Sequence, residues 1–160
     1  MADIVFNIAK GRVAELVGRV DANDPANAVL VIVPVDVGAT TDATIKDFDT
    51  LAACLAGGCT ERSTGGWGRK TLTDSDIAIT WGSTPTPDDT NDRMDIDIPD
   101  QTWTTVTAGA VTDLIICYDS DSTGGTDSNI IPLTLHDFAI TPDGSDVVAV
   151  INASGFFRAS

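Results

Sequence analysis

The aspartates are the residues of this sequence that most readily suggest chemistry, since they make up 22 of its 24 acidic residues. One glycine-containing stretch carries four candidate oxygen ligands: Asp119, Asp121, Asp127 and Asn129. Calcium binds several oxygen ligands from a flexible loop, so this stretch is a candidate calcium site. It departs from the helix–loop–helix calcium motif, whose last ligand is Glu, because Ile130 stands at that position. Turns in which Asp binds its own backbone are the alternative interpretation.

Two further groups of acids are weaker candidates. The first is a second oxygen-rich cluster: Asp88, Asp89, Asn91 and Asp92. The second is Asp95 with Asp97, two residues apart on one face of a predicted strand, where a glycosidase could place its two carboxylates. Such pairs arise by chance in a chain so rich in Asp, and a charged strand also discourages aggregation. We therefore expect no catalytic role for this pair.

Nucleophilic and phosphate chemistry have little support in the sequence. The single histidine, His136, stands beside Asp137, and no G-x-S-x-G motif is present. The glycine pairs at 65–66 and 124–125 are not followed by a basic residue at phosphate-loop spacing. We expect a protein that is not an enzyme and that carries no cofactor.

Three tryptophans could stack on sugar rings, as in a carbohydrate-binding module. Trp81 and Trp103 lie on predicted strands, where packing in the core is the expected role. Trp67 lies in a glycine-rich connection, so it is the best candidate for an exposed aromatic.

The three cysteines are Cys54, Cys59 and Cys117, and no C-x-x-C motif occurs. Buried thiols in a reducing compartment are the expected state. A local disulfide between Cys54 and Cys59, across Gly57 and Gly58, is the sharper alternative. Zinc is disfavoured because there is one histidine and no four-ligand spacing.

Composition limits the class of protein. The 160 residues suit one domain, and the net charge of −15 argues against binding nucleic acid through its phosphates. The start has no basic segment ahead of an apolar one, and the longest apolar run, 28–35, is too short to span a membrane. We therefore expect a soluble chain without a cleaved signal. Twenty-one threonines, many aspartates and only two glutamates argue against an all-α fold.

The spacing of short apolar stretches and turn signals predicts a mainly β fold, an antiparallel sandwich or barrel of jelly-roll or immunoglobulin-like type. One short helix is predicted around residues 43–56 from an apolar stripe at helical spacing. Residues 13–20 could be strand or helix. The predicted strands are 3–8, 28–37, 70–73, 76–81, 94–98, 103–106, 114–118, 130–135, 138–140, 147–151 and 156–158.

Most of the chain resembles a family of small virion structural proteins of tailed bacteriophages. The segments that carry the resemblance are NIAKGRV (7–13), DTLAACLA (49–56), GRKTLTD (68–74), DDTNDRMDIDIPDQTWT (88–104), LIICYDSDSTGGTDSNIIPLTLHDFAITPDGSD (114–146) and GFFRAS (155–160). The most distinctive parts are the strand that begins N-D-R and the hairpin HDFAITPDGSD. The least typical part is the region 54–67, where a surface specific to one partner could lie.

The resemblance implies a capsid decoration protein or minor capsid protein on the outside of the phage head, made in the host cytoplasm. Its partners would be the major capsid protein and further copies of itself, with a trimer favoured, and neither nucleic acid nor a membrane. A tail or head–tail component, or a carbohydrate-binding module displayed on the virion, are the alternatives. The interface candidates are Ile4 and Phe6 in a possible N-terminal arm, Trp67, Phe156 and Phe157.

Overall fold

Three long apolar strands form the centre of an antiparallel sheet in the computed structural model, which describes residues 3–77, 90, 92–152 and 155–159. They are β2 (Val29–Asp36), β7 (Val111–Asp119) and β8 (Ile131–Ile140). Strand β7 lies between the other two, with Ile116 opposite Ile32 of β2 and Ile115 opposite Leu135 of β8. Successive side chains of a strand point to opposite faces, and consecutive residues of β7 are buried. Both faces of this sheet are therefore covered.

Short strands complete the sheet in the order β1-β8-β7-β2-β3, with β4 also paired to β2. Their bounds are β1 (Ile4–Val5), β3 (Thr60–Glu61) and β4 (Lys70–Leu72). Strand β1 pairs with β8 of its own chain, with Ile4 opposite Leu135. Ile4 and Val5 of the possible N-terminal arm are therefore paired within their own chain, where β1 is the edge strand at one end of the sheet. Addition of a strand to a neighbour by this segment stays a prediction.

Two smaller strand pairs lie outside the main sheet, and one of them forms a second layer. One joins β6 (Gln101–Trp103) to β9 (Val147–Ala149), and the other joins β5 (Met94–Ile96) to β10 (Phe157–Ala159). Trp103 of β6 is buried, and the Lys70 ammonium of the main sheet lies 5.4 Å from the centre of its ring. The β6–β9 pair therefore packs over the main sheet, and the predicted mainly β, antiparallel, sandwich-like architecture is confirmed.

The helices differ from the sequence prediction. Residues 13–20, left open between strand and helix, are helical in α1 (Val13–Asp21), because its buried side chains recur every three or four residues. The single helix predicted around 43–56 is instead two helices, α2 (Asp42–Ile45) and α3 (Leu51–Ala56). Thr50 separates them, since its hydroxyl accepts a hydrogen bond from the Ala53 N–H and so begins a new helix. A 3-10 turn (Asn7–Ala9) precedes α1.

Several strand limits also differ. The predicted strands 130–135 and 138–140 form one continuous strand, β8, and strand 114–118 extends to 111–119 as β7. The two-residue strand β3 was not predicted. Most of the predicted strand 76–81, including Trp81, lies outside the described residues.

The loop before β4 is held in a conformation that requires glycine. Gly66 has a φ of +96°, and a Cβ placed there would lie 2.8 Å from the Thr105 carbonyl oxygen and 2.9 Å from the Val106 Cα. A Cβ on Gly68, two residues later, would meet nothing within 4 Å. The loop that carries Trp67 is thus fitted closely to the segment after β6.

We expect Gly66→Ala to lower the free energy of unfolding by about 2–3 kcal/mol, because alanine is strained at positive φ and its Cβ would collide with backbone atoms. Gly68→Ala is the matched control and should change stability by less than about 1 kcal/mol. Urea unfolding of both variants measures the difference. Equal stabilities for the two would contradict this description of the loop.

Candidate functional site

The calcium candidates do not converge on a common point. Asp119 accepts a hydrogen bond from the Asp121 N–H at 3.0 Å, and Asp121 accepts bonds from the Thr123 N–H and hydroxyl. These are local turns of the kind Asp forms with its own backbone. The Thr123 hydroxyl bond also lowers the pKa of Asp121. Asn129 is exposed and closes a turn through its backbone N–H.

Asp127, the third calcium candidate, is held by an arginine. Both of its carboxylate oxygens accept hydrogen bonds from Arg69, at 2.6 and 2.9 Å, and Arg69 binds Glu61 through two more. Arg69 lowers the pKa of Asp127, and the two carboxylates raise the pKa of Arg69. Asp127 therefore has its charge balanced within the fold, and no cluster suited to a metal ion occurs in the part of the chain that the structure describes. The calcium interpretation is not supported.

In the second cluster, Asp88, Asp89 and Asn91 lie outside the described residues. Asp95, of the strand pair, contacts Arg158 at 2.5 Å and Arg93 at 3.1 Å, and the Arg158 guanidinium lowers its pKa. Asp97 instead accepts a hydrogen bond from the Ile98 N–H. A glycosidase acid needs a raised pKa, so the environment of Asp95 argues against that use.

The tryptophans of the described residues belong to the core. Trp67 is only 4% exposed, and its indole N–H donates to the Gly109 carbonyl at 2.7 Å. Its ring packs edge to face on Trp103 at 5.3 Å, and Trp103 donates to the Gly68 carbonyl. The expectation that Trp67 is exposed is wrong. A glycine-rich loop suggested exposure, but those glycines let the loop close tightly over the ring.

The other interface candidates divide into two groups. Phe6 is fully buried in the core, so it is not available to a partner. Ile4, Phe156 and Phe157 are partly buried against that core. Phe156 packs edge to face on His136 at 6.1 Å, which brings the C-terminal segment back over the sheet.

A cleft of about 230 Å³ opens between the main sheet and the second layer. Its floor is the face of the sheet that carries Ile32, Leu114 and Ile116. Its other walls and rim come from β6, β8, the strand β9 with the residues that follow it, and two segments near the ends of the chain: Asp3, Gln101, His136, Asp137, Phe138, Ala149, Val150, Ile151, Asn152, Gly155 and Phe156.

His136 lies between a carboxylate and a hydroxyl, as in a catalytic triad. Its Nδ1 is 3.2 Å from Asp3 Oδ2, and its Nε2 is 2.9 Å from the Thr134 hydroxyl. A nucleophile must reach substrate, whereas Thr134 is 2% exposed and does not line the cleft. Asp3 also accepts the Asp137 N–H at 3.0 Å, so it fastens the start of the chain to the edge of β8. This group is therefore better suited to closing the sheet edge than to catalysis.

The exposed apolar side chains next to this cleft were not singled out from the sequence. Val148 is 47% exposed and Val150 75%, and they are the large apolar side chains that stand out to solvent in the described ranges. They alternate with Val147 and Ala149, which are buried. Because residues 147–151 are all apolar, the sequence shows no alternation of apolar and polar residues that would tell the exposed side chains from the buried ones.

Asp113 is a buried acid that the sequence also gave no reason to notice. It is 1% exposed, and neither carboxylate oxygen has a well-formed hydrogen-bond partner in the described part of the chain. It lies opposite Asp137 in the pairing of β7 with β8. Burial is the main cause of its raised pKa, the Thr112 side chain opposes that shift, and the Asp137 carboxylate adds to it.

No family model, curated protein or solved structure matches the chain. In the described ranges, no helix has the length and apolar character needed to cross a membrane.

The raised pKa of Asp113 has a consequence for stability. The folded chain binds this proton more tightly than the unfolded chain, so the contribution of Asp113 is fully present below the unfolded pKa. It is lost as the pH rises through the folded pKa. Asp113→Asn should remove this loss and raise the free energy of unfolding at pH 7 by about 1 kcal/mol.

Asp143→Asn is the control, and its pH dependence should have the opposite sign. The Ser145 hydroxyl lowers the pKa of Asp143, so the contribution of Asp143 to the free energy of unfolding is lost as the pH falls. Urea unfolding of the parent chain and of each variant across pH 4–8 measures how the free energy of unfolding changes with pH. A parent and an Asp113→Asn variant with the same pH dependence would show that the carboxyl is not buried as described.

Proposed function

We propose that this chain is a non-enzymatic structural protein of a tailed-phage head, a decoration or minor capsid protein that binds the outer surface of the major capsid protein. Its sequence resemblance supports the class of protein. The observation that carries the surface assignment is the exposed pair Val148 and Val150, on a chain of net charge −15. Isolated exposed valines are ordinary, but Val150 lines a cleft with an apolar floor, and Val148 precedes it by two residues.

The apolar patch is defined as Val148, Val150 and the cleft wall formed by Ile151 and Phe156. An apolar side chain of the capsid surface would enter the cleft beside Phe156, and the two valines would be buried around it. Asp3 and Asp137 at the rim would favour a basic residue of the partner. Acidic charge over the rest of the chain would keep it away from packaged DNA.

Non-enzymatic action is supported by the environment of each catalytic candidate. Thr134 is buried beside its histidine, and Asp95 is paired with arginines. Sugar binding loses its best aromatic because Trp67 is in the core. A tail or head–tail component remains the second candidate, since the same patch could bind another virion protein. Self-association as a trimer around a capsid axis is part of the proposal.

The position in the particle can be measured directly by electron cryo-microscopy of purified virions, with the copy number obtained by quantitative mass spectrometry. We expect many copies on the icosahedral shell, in a fixed ratio to the major capsid protein, with β9 facing it. A few copies at one vertex or along the tail would support the tail alternative. Absence from the particle would overturn the structural class as a whole.

A double variant tests the patch itself. We expect Val148→Asp with Val150→Asp to weaken binding to capsids that lack the protein by at least roughly tenfold, because two apolar contacts are lost and two charges would be buried. Thr60→Asp, an exposed position on β3 at the other edge of the sheet, is the matched control and should bind normally. Co-sedimentation of capsids with each variant measures this. Unchanged binding of the double variant would exclude the patch.

A further inference from the structure

Two of the three cysteines meet in the core at the end of helix α3. Cys54 lies within α3 and Cys59 directly precedes β3, and both are buried. The Cys59 N–H donates to the Cys54 carbonyl at 3.1 Å, so the backbone turns back on itself between them. The two sulfurs are 2.9 Å apart. That separation is shorter than the roughly 3.5–4.0 Å at which non-bonded carbon atoms pack best.

The turn between the cysteines has little freedom to separate them. A Cβ on Gly57 would overlap the Phe48 ring, and a Cβ on Gly58 would overlap the Thr40 hydroxyl. Gly58 also has a φ of +122°, which side-chain-bearing residues rarely adopt. The neighbouring segments therefore hold the turn in place, and the thiols are brought together by the fold and not by flexible side chains alone.

We propose that Cys54 and Cys59 are a site of disulfide formation, which closes when the folded protein meets a small two-electron oxidant such as hydrogen peroxide. This cross-link would tie the end of α3 to the start of β3. The cross-link depends on the fold alone and would form whether or not the chain belongs to a virion.

The two thiols differ in pKa, and this difference sets the order in which they react. The Cys54 thiol donates a hydrogen bond to the Cys59 sulfur, which lowers the pKa of Cys59 and raises that of Cys54. Cys59 would therefore react first: its thiolate attacks one peroxide oxygen, the O–O bond breaks, and a sulfenic acid and hydroxide form. The Cys54 sulfur then attacks the Cys59 sulfur, the S–O bond breaks and the S–S bond forms. The Cys54 proton leaves with the second oxygen as water. In total, two thiols and one peroxide give one disulfide and two waters.

Cys117 provides an internal control. It lies on β7 and is fully buried, and burial raises the pKa of its thiol. A buried, protonated thiol reacts slowly with peroxide. The three cysteines allow three pairings, so a specific cross-link is distinguishable from general oxidation.

The test treats the purified, reduced full-length chain with dilute peroxide, then unfolds it in the presence of an alkylating reagent. We expect alkylation to fall from three thiols to one, a mass lower by about two hydrogen atoms before alkylation, and a peptide map that joins Cys54 to Cys59 and leaves Cys117 alkylated. Cys117→Ser should form the same bond. Cys54→Ser and Cys59→Ser should not form it.

A second measurement is needed because both cysteines are buried and peroxide must enter the folded core to reach them. The chain is refolded from denaturant in a mixture of reduced and oxidised glutathione, where access is not limiting, and the same pairing is expected. The oxidised protein should unfold roughly 5 °C higher than the reduced protein, and added reductant should reverse the difference. Three free thiols after both treatments, a bond that includes Cys117, or over-oxidation of Cys59 without a bond would overturn the proposal.

Discussion

The rest of the structure depends on one constraint: the central strands are apolar on both faces. Along β7, Ile115 and Cys117 point to one side, Leu114 and Ile116 point to the other, and all four are buried. Each fully buried aliphatic side chain contributes about 1.5–3 kcal/mol, so neither face can be left in water. The β6–β9 pair packs over the second face, where it forms part of the cleft wall. Because this pair is short, it is held by specific contacts: Trp103 packs on Trp67 and donates to the Gly68 carbonyl.

Because the central strands are apolar on both faces, most of the charged side chains lie outside the sheet. Buried polar residues are few in the described ranges, and the aspartates mostly occupy turns, where a carboxylate accepts a hydrogen bond from a nearby backbone N–H. The stretch that looked like a calcium loop is one such series of turns. Asp127 is an exception, because its carboxylate reaches Arg69 and joins the loop to the sheet. Asp113 also lies outside the turns and places an ionisable group inside the sheet, at a cost in stability at neutral pH.

Fold class was predictable because it depends on local pattern: apolar stretches rich in β-branched residues and bounded by turns favour strands, and three such stretches form β2, β7 and β8. The break at Thr50 was harder to predict, since an apolar stripe runs through it and a capping hydroxyl decides the outcome. The burial of Trp67 could not be predicted, because it depends on Gly109 and Trp103, which are distant in sequence. The apolar patch escaped notice for a related reason: Val148 and Val150 differ from Val147 and Ala149 only in the direction they face.

The charge and the apolar patch together constrain how such a chain could associate. With a net charge of −15, copies repel one another over a screening length of about 8 Å at physiological ionic strength, so a trimer needs contacts that exceed this repulsion. Two valines and a cleft wall form a small contact, and one copy would hold a capsid only weakly. In the proposed trimer, three linked copies would change this balance, because once one was bound the other two would meet their sites at high effective concentration. Under the proposed function, weak single contacts made in symmetric sets would let an acidic chain, which exposes little large apolar surface in its described residues, cover a repeating shell.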